Sequence, residues 1–321
     1  VDDAQQGKGI ATLLLEHLAS IAHDNGIERF TAQTLGENRA MLSVFAKAGW
    51  PVHRRFDSGV IDIDFELDET AEYLDSVERR EQRADSRAVA HLLLPSSIAV
   101  IGASARDGSI GATVWRHVAA STRVRSYPVN PRYTELDGRP CFASVTDIVD
   151  DIGVAVIAVP ERELAGTLDA CIDKGVRGAI VITVVDPDTL DVPALVARAR
   201  RNGLRIIGPG SMGIASPRPD VALQAALVDV QLPSGRVAVS MQSGTLGSSL
   251  LRQAASLQLG LSWFVSLGDK YDVSANDLLQ FWEDDDATEV IALYTESLGN
   301  PRKFARIARR VGARQIGRAS C

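Results

Sequence analysis

Aromatic residues and cysteines are scarce in this chain of 321 residues, of which 5% are aromatic and three are cysteines. The cysteines, Cys141, Cys171 and Cys321, are scattered and lack the spacing of metal ligands, so they indicate reduced thiols rather than a disulfide framework. No apolar run approaches the ~20 residues of a membrane-spanning helix, and no secretory signal is recognisable. These absences argue against a secreted or membrane protein and favour a cytoplasmic one.

Positive charge is also limited, because 34 Lys and Arg residues face 41 Asp and Glu residues and the net charge is −7. Nucleic acids and anionic membranes attract basic proteins, so neither is expected as the main partner. The length suits two or three globular domains. The chain starts at Val1 rather than Met, and no closing element precedes Cys321. We therefore expect an internal fragment of a longer protein.

A glycine-rich turn between a strand and a helix organises the middle of the chain. Ile98 to Ile101 are fully apolar, as in a buried parallel strand, and a helical pattern begins near Ile110. The turn from Gly102 to Gly111 has the spacing G-x-S-x-x-x-G-x-x-G. Glycines there would let backbone amides approach an anion at a helix N-terminus. An ordinary tight turn is the alternative interpretation.

The expected anion is a phosphate compound other than NAD. A NAD site needs an acidic residue at the end of the second strand, where it holds the ribose. That strand, near Val124 to Val129, is followed by Asn130 and Pro131 and has no carboxylate there. A NAD-linked dehydrogenase is therefore the least favoured hypothesis.

Strands and helices alternate from Ser97 onward, which predicts a parallel sheet with helices on both faces. The predicted strands cover residues 98–101, 124–129, 153–159, 179–184 and 204–207, and the predicted helices cover residues 110–120, 162–174 and 191–202. A further unit begins near Gly235, with strands at 236–240, 261–267 and 289–295 and helices at 243–256 and 274–282.

The first 65 residues predict a smaller α/β unit. Its first helix has a predicted apolar face formed by Leu14, Leu15, Leu18, Ile21 and Ala22. Strands are predicted at Phe30–Leu35 and Val60–Leu67, and Asn38 is a predicted N-cap for a helix between them.

Two motifs of this unit resemble the GCN5-related N-acetyltransferases (the GNAT family). Gln6, Gly9 and Ala11 match Q/R-x-x-G-x-G/A, and Asn38 begins the second motif, which ends at Trp50. The resemblance implies that acetyl-CoA is bound by Gln6, Gly7, Lys8, Gly9, Ala11 and Asn38. Phe45 stands where many members have a tyrosine acid, and phenylalanine cannot donate a proton. We expect the family's first strands to be absent from this chain.

The motifs that follow the central strands resemble the CoA-binding domain of NDP-forming acyl-CoA synthetases and of the succinyl-CoA synthetase α subunit. The resemblance implies a CoA site lined by Gly102, Ser104, Gly111, Asn130, Arg132, Pro160 and Gly213. The charge of Arg132 suits a CoA phosphate. Gly210 stands where the family has asparagine in a Gly-Pro-Asn sequence, which changes one polar contact.

Residues 243–246 match the S-G-T-L part of the S-x-S-G-T-L helix start of the same family, and two residues rather than one separate Ser240 from Ser243. The resemblance implies that Ser243, Gly244 and Thr245 steady a phosphorylated histidine, and that Glu296 orients it. An exposed strand-end carboxylate is the alternative interpretation of Glu296. The five histidines of the chain lie in no Ser-His-Thr-Gly-type segment. The active histidine and the ATP-grasp part that binds ATP and Mg²⁺ are therefore expected in the parent, in cis or as a separate subunit.

These patterns predict an α/β protein with four segments. They are a partial GNAT α/β unit (1–68), a charged linker (69–94), a Rossmann-like CoA-binding domain (95–219) and a truncated flavodoxin-like domain (220–321). The predicted function is that of an N-acetyltransferase fused to a synthetase that makes acetyl-CoA, ADP and phosphate from acetate, CoA and ATP. The fragment alone is predicted to be inactive. The alternative is a protein lysine acetyltransferase whose synthetase-like part is a non-catalytic CoA-sensing module.

Overall fold

The computed structural model describes residues 10–47, 50, 52–57, 59–67, 86–314 and 316–319. The chain divides into two compact units, residues 1–84 and residues 85–321. None of the helices in these described ranges is both long enough and apolar enough to span a membrane.

The first unit contains two helices and an antiparallel sheet of order β1-β3-β2. Its elements are α1 (Ile10–Asp24), β1 (Arg29–Leu35), α2 (Arg39–Lys47), β2 (Val52–Asp57) and β3 (Val60–Glu66). Trp50 stacks on Phe65 in the core, with ring centroids 5.6 Å apart. The predicted N-cap is confirmed, because Asn38 Oδ1 accepts a hydrogen bond from Met41 N at 3.0 Å. The edge strand β2 is not predicted, because it lacks an alternating apolar pattern.

The predicted apolar face of α1 is partly wrong. Leu14, Leu18 and Ile21 are each more than half exposed, whereas Ala19 and Ala22 are buried. Apolar residues lie on more than one side of this helix, and the sheet covers the side that carries the two alanines. Sequence periodicity cannot decide which of two apolar sides of a helix faces the core. It favours the side with the larger side chains, whereas the structure buries the side with the two alanines.

The second unit begins with a five-stranded parallel sheet of order β10-β9-β8-β4-β5. Its elements are α3 (86–93), β4 (Ser97–Ile101), α4 (Ile110–Ala119), β5 (Arg125–Val129), a short hairpin of β6 (Glu135–Leu136) and β7 (Arg139–Pro140), β8 (Val154–Ile157), α5 (Glu161–Lys174), β9 (Gly178–Val181), α6 (Val192–Arg201) and β10 (Arg205–Ile207). All residues of β4, β8 and β9 are buried. The five strands and three helices predicted here are confirmed.

Helix α3 lies inside the segment predicted as a charged linker. Val89, Leu92 and Leu93 are fully buried in the core of the second unit. The final third of the predicted linker 69–94 is therefore packed rather than solvated, because its apolar residues face the parallel sheet. Residues 69–85 lie outside the described residues.

A second sheet follows, with the order β12-β11-β14-β13-β15-β16. Its elements are β11 (Gly213–Ser216), β12 (Leu223–Ala226), β13 (Ser234–Met241), α7 (Gly244–Ser256), β14 (Leu261–Ser266), α8 (Ala275–Glu283), β15 (Val290–Tyr294), α9 (Pro301–Arg314) and β16 (Ile316–Ala319). Strands β13 to β16 are parallel, whereas β11 pairs antiparallel with both of its neighbours. Residues 213–216, predicted as part of the CoA-binding domain, thus join the second sheet.

Polar contacts join the two sheets of this unit. Asp272 is fully buried, accepts a backbone hydrogen bond from Ile206 at 2.8 Å and pairs with Arg205 at 3.0 Å. His117 on α4 is also buried, and its Nδ1 lies 2.7 Å from the carbonyl oxygen of Ala226. Cys171 is buried between α5 and the first sheet, and burial raises the pKa of its thiol to about 12.

Candidate functional site

The direction of the chain connections changes at β4, in the middle of the first sheet. This strand pairs with β5 on one side and β8 on the other. Residues of α4 pack in the core on one face of the sheet, whereas residues of α5 pack in the core on the opposite face. The loops that follow β4 and β8 therefore diverge, and ligands of doubly wound sheets bind at such a point.

Two glycines allow close approach between the turn after β4, the loop after β8 and the N-terminus of α4. Gly102, with φ of +92°, follows β4, and a Cβ atom built there would lie 2.4 Å from the carbonyl oxygen of Ala158. A Cβ atom on Gly111, in the first turn of α4, would lie 1.9 Å from the carbonyl oxygen of Gly102. A side chain on Gly111 would push the helix N-terminus away from the turn, and a side chain on Gly102 would push the turn away from the loop after β8. That N-terminus carries partial positive charge and donor amides that suit a phosphate.

Asn130 connects the glycine-rich turn to the loop after β5. Its Nδ2 donates to the carbonyl oxygen of Ala103 at 2.7 Å, and its Oδ1 accepts from Arg132 N at 2.9 Å. The Arg132 side chain is exposed. Ser104 Oγ accepts from Arg106 N at 3.0 Å and so shapes the turn. Asn130 therefore fixes the geometry of the loops at the end of β5. A NAD site would have a carboxylate at this position.

The second turn begins α7 at the carboxyl end of β13. Ser243 caps this helix, and its Oγ accepts from Leu246 N at 3.4 Å. Gly244 is the first helical residue and faces Met212, whose sulfur would lie 3.3 Å from a Cβ atom there. Thr245 is exposed. Ser243, Gly244 and Thr245 are therefore brought together at the N-terminus of a 13-residue helix.

Glu296 lies beside this turn, just after the neighbouring strand β15. Its side chain is exposed, and its backbone N–H donates to Gln242 Oε1 at 2.9 Å. Burial and the charge of Glu296 both raise the pKa of Asp269. Burial lowers the pKa of Lys270, whereas the charge of Glu296 opposes this effect. Glu296 thus shares its surroundings with two charged residues of the loop after β14.

Family profiles match three consecutive parts of the chain. The acetyltransferase (GNAT) family matches residues 1–50, the CoA binding domain matches residues 96–217, and the succinyl-CoA ligase like flavodoxin domain matches residues 234–316. The last two matches cover both turns and Glu296.

Curated relatives and solved structures agree with these profiles. The ADP-forming acetate–CoA ligase of Methanocaldococcus jannaschii is 34% identical over 228 residues, which are 70% of this chain and 32% of the relative. The α subunit of ADP-forming acetate–CoA ligase I of Pyrococcus furiosus is 33% identical over 234 residues, 70% of this chain and 50% of the relative. The second unit thus contains a CoA-binding domain and a succinyl-CoA ligase like flavodoxin domain, and it is homologous to ADP-forming acetyl-CoA synthetases.

A solved structure of such a synthetase is similar in fold. The dinucleotide forming acetyl-coenzyme A synthetase 1 of Ca. Korarchaeum cryptofilum, in complex with phosphate and ADP, is similar with a TM-score of 0.68 and 35% identity. The similarity covers 72% of this chain and 51% of that chain. The matched part of the chain thus spans between about a third and a half of the length of these three proteins.

Six of the seven residues predicted to line the CoA site lie at the edge of the first sheet. Pro160 directly precedes α5 and joins Gly102, Ser104, Gly111, Asn130 and Arg132 there. Gly213 instead lies on β11 of the second sheet, where a Cβ atom would lie 2.0 Å from the carbonyl oxygen of Ala225. Its observed contact is strand pairing, and its predicted role in the CoA site stays a prediction.

The acetyl-CoA motif of the first unit falls mostly on residues that the structure does not describe. Gln6, Gly7, Lys8 and Gly9 lie outside the described residues. Ala11 is the second residue of α1. Asn38 caps α2 through its side chain. No group of three or more His, Cys, Asp or Glu residues within the described ranges could hold a metal ion.

Sequence reasoning assigned no role to Gln242, Asp269 and Lys270. Gln242 directly precedes Ser243, at the variable position of the S-x-S-G-T-L motif. Asp269 and Lys270 follow β14, at the same carboxyl edge as Ser243 and Glu296. Their position at this edge could have identified them as candidate site residues, because ligands of parallel sheets bind beyond the carboxyl ends of the strands.

A substitution of Gly111 should reduce both stability and CoA binding. In Gly111→Ala, the added methyl group would meet the Gly102 carbonyl oxygen, so α4 must shift away from the turn. We expect at least a tenfold weaker CoA affinity in calorimetry, together with a loss of about 1–3 kcal/mol in urea unfolding. Gly166→Ala on α5 is the matched control, because no atom lies within 4 Å of its added Cβ. Wild-type affinity in Gly111→Ala would contradict the close-approach argument.

Proposed function

We propose that residues 85–321 form the CoA-binding and phosphoryl-relay part of an acyl-CoA synthetase that consumes ATP. The observation that carries this proposal is the placement of two strand–turn–helix sites on adjoining sheets, one built around Gly102 and Gly111 and the other around Ser243 and Glu296. The matches to the CoA binding domain and the succinyl-CoA ligase like domain support it.

The proposed reaction has three balanced steps. The γ-phosphoryl group of ATP passes to a histidine nitrogen, and ADP leaves. A carboxylate substrate then takes the phosphoryl group and becomes an acyl phosphate, which frees the histidine. The CoA thiol attacks the acyl carbon, the thioester forms, and phosphate leaves. Acetate is the proposed acid, because several relatives are acetate–CoA ligases.

The residues of this chain would bind and orient the reactants. The turn before α4 would hold phosphate groups of CoA, with the exposed Arg132 adding positive charge at the neighbouring loop. The N-terminus of α7, with Ser243, Gly244 and Thr245, would stabilise the anionic phosphoryl group. Glu296 would accept a hydrogen bond from the other nitrogen of the histidine and fix its tautomer.

The histidine, the nucleotide and Mg²⁺ would come from an ATP-grasp partner and from the rest of the whole protein. Some relatives are separate α subunits of about twice the matched length. The arrangement is therefore compatible with a partner in a separate subunit as well as with one continuous chain. Mg²⁺ would neutralise charge on the nucleotide phosphates.

The match of residues 1–50 to the GNAT family favours a second activity, acetyl transfer from acetyl-CoA to an amine. We propose that the acetyltransferase unit and the synthetase unit share the acyl-CoA pool, with protein lysine as the candidate acceptor. In the alternative form of this proposal, the synthetase-like part senses CoA without catalysis and regulates the acetyltransferase.

The deciding experiment uses the whole protein with ATP, acetate and CoA. Thioester formation with matching release of ADP and phosphate would support the synthetase. CoA binding without turnover and without acid-labile phosphoprotein would instead support the sensing alternative. Omission of CoA should leave histidine labelling intact, because the phosphoryl steps precede the thiol attack.

A further inference from the structure

The residues around Glu296 form a loop (residues 295–298, the Glu296 loop) that follows β15 and has no strand pairing of its own. Glu296 is exposed, so packing does not fix its position. A side chain that orients a catalytic histidine must be held to within about 0.5 Å, and such precision requires support from neighbouring groups. Two side chains, those of Gln242 and Lys270, supply hydrogen bonds to this loop.

Gln242 holds the loop from the side of the Ser243 turn. Its Oε1 accepts from Glu296 N at 2.9 Å and from Thr295 Oγ1 at 3.1 Å. Its backbone N–H donates to the carbonyl oxygen of Tyr294 at 3.1 Å. One side chain thereby fixes both residues that follow β15 to the turn that begins α7.

Lys270 holds the loop from the opposite side. Its Nζ donates to the carbonyl oxygen of Ser297 and, at 3.0 Å, to the hydroxyl of the same residue. The neighbouring Asp269 N donates to the carbonyl oxygen of Pro209 at 2.9 Å. The loop that carries Lys270 is thus bonded to the segment that follows β10 of the CoA-binding sheet.

We propose that Gln242 and Lys270 are positioning residues that set the backbone of Glu296 for phosphoryl transfer. Gln242 ties the Glu296 loop to the proposed phosphoryl site, and Lys270 ties it to the edge of the CoA-binding sheet. The charge of Glu296 raises the pKa of Lys270 and so opposes the effect of burial. This inference rests on the proposed function, but its structural part can be tested on this chain alone.

The first test measures amide hydrogen exchange in the 321-residue chain. Gln242→Ala removes the acceptor of the Glu296 amide, and Lys270→Met removes both hydrogen bonds from Lys270 to Ser297 while keeping the aliphatic stem. We expect exchange across the Glu296 loop to become about 5- to 10-fold faster in each variant, as the loss of one ordinary hydrogen bond predicts. Lys174→Met is the matched control, because Lys174 also donates to a backbone carbonyl, that of Ile148, far from this loop. Unchanged exchange in both test variants would overturn the proposal.

The second test measures histidine labelling by the whole protein with labelled ATP. Gln242→Ala and Lys270→Met should each lower the labelling rate about tenfold and leave the KM for CoA unchanged. Lys270→Arg should restore most of the rate, because arginine also donates to carbonyl and hydroxyl oxygens. Full activity of Gln242→Ala and Lys270→Met, beside a Glu296→Gln variant that fails to label, would overturn the positioning role. Full labelling by Glu296→Gln would count against the proposed function. The exchange experiment would then still show whether Gln242 and Lys270 hold the Glu296 loop in place.

Discussion

Replacement of Glu296 by glutamine in the whole protein is expected to lower histidine phosphorylation by about 10²- to 10⁴-fold, the range for loss of a carboxylate that orients a catalytic histidine. Glutamine keeps the shape of the side chain and leaves the backbone hydrogen bond to Gln242 in place. It removes the negative charge and presents a donor where the imidazole N–H needs an acceptor. CoA affinity should change little, because the proposed CoA site lies at the edge of the other sheet. Acid-labile phosphoprotein measures the first effect, and calorimetry measures the second.

Glu289→Gln is the matched control for this experiment. Glu289 directly precedes β15, at the end opposite to Glu296, and pairs with Arg236 at 2.6 Å on the exposed surface. Such a surface pair contributes at most about 1 kcal/mol, so its loss should leave labelling unchanged. Equal labelling in Glu296→Gln and wild type would show that Glu296 is an ordinary strand-end carboxylate.

The second large effect concerns stability. Asp272→Ala is expected to lower the free energy of unfolding by about 3–5 kcal/mol, the usual loss when one partner of a buried ion pair is removed. Asp272 is fully buried and contacts Arg205, Arg200 and the backbone N–H of Ile206. Burial alone would lower the pKa of Arg205, but Asp272 and Asp277 raise it, so the guanidinium keeps its charge. Without Asp272 this buried charge retains Asp277 as its remaining carboxylate partner.

Urea unfolding of the 321-residue chain measures this loss. Asp188→Ala is the control, because Asp188 is exposed in the loop after β9. We expect the control to stay within about 0.5 kcal/mol of wild type. A change of less than about 1 kcal/mol in Asp272→Ala would show that the two sheets of the second unit are held together by apolar packing instead.

The parallel sheet could be predicted from sequence because its strands are short apolar runs bounded by glycine and proline. β4 and β8 are buried on both faces, so their pattern is continuous rather than alternating. β11 and β12 were missed, since they are four-residue strands containing glycine, serine and alanine, which have low strand propensity. Their pairing depends on β14, a strand that lies far along the sequence.

The parts of the candidate site that lie within a short sequence motif could be predicted from the sequence. The turns at Gly102 and Ser243 each combine a strand end, small residues and a helix start within a few positions. The contacts of Gln242 and Lys270 were not predictable, because they join loops that are 54 and 27 residues apart. Only the order of strands in the sheet brings those loops to the same edge.

Calorimetric titration of the 321-residue chain with CoA and, separately, with NAD tests the proposed CoA site most directly. The glycine-rich turn, the Asn130 strand end and the exposed Arg132 predict that CoA binds and that NAD binds more weakly or not at all. Arg132→Glu should weaken CoA binding about tenfold or more without loss of folding, because it reverses the surface charge that we propose binds a phosphate of CoA. Tighter binding of NAD than of CoA, or CoA affinity unchanged by Arg132→Glu, would contradict the assignment of the CoA site to this edge of the sheet.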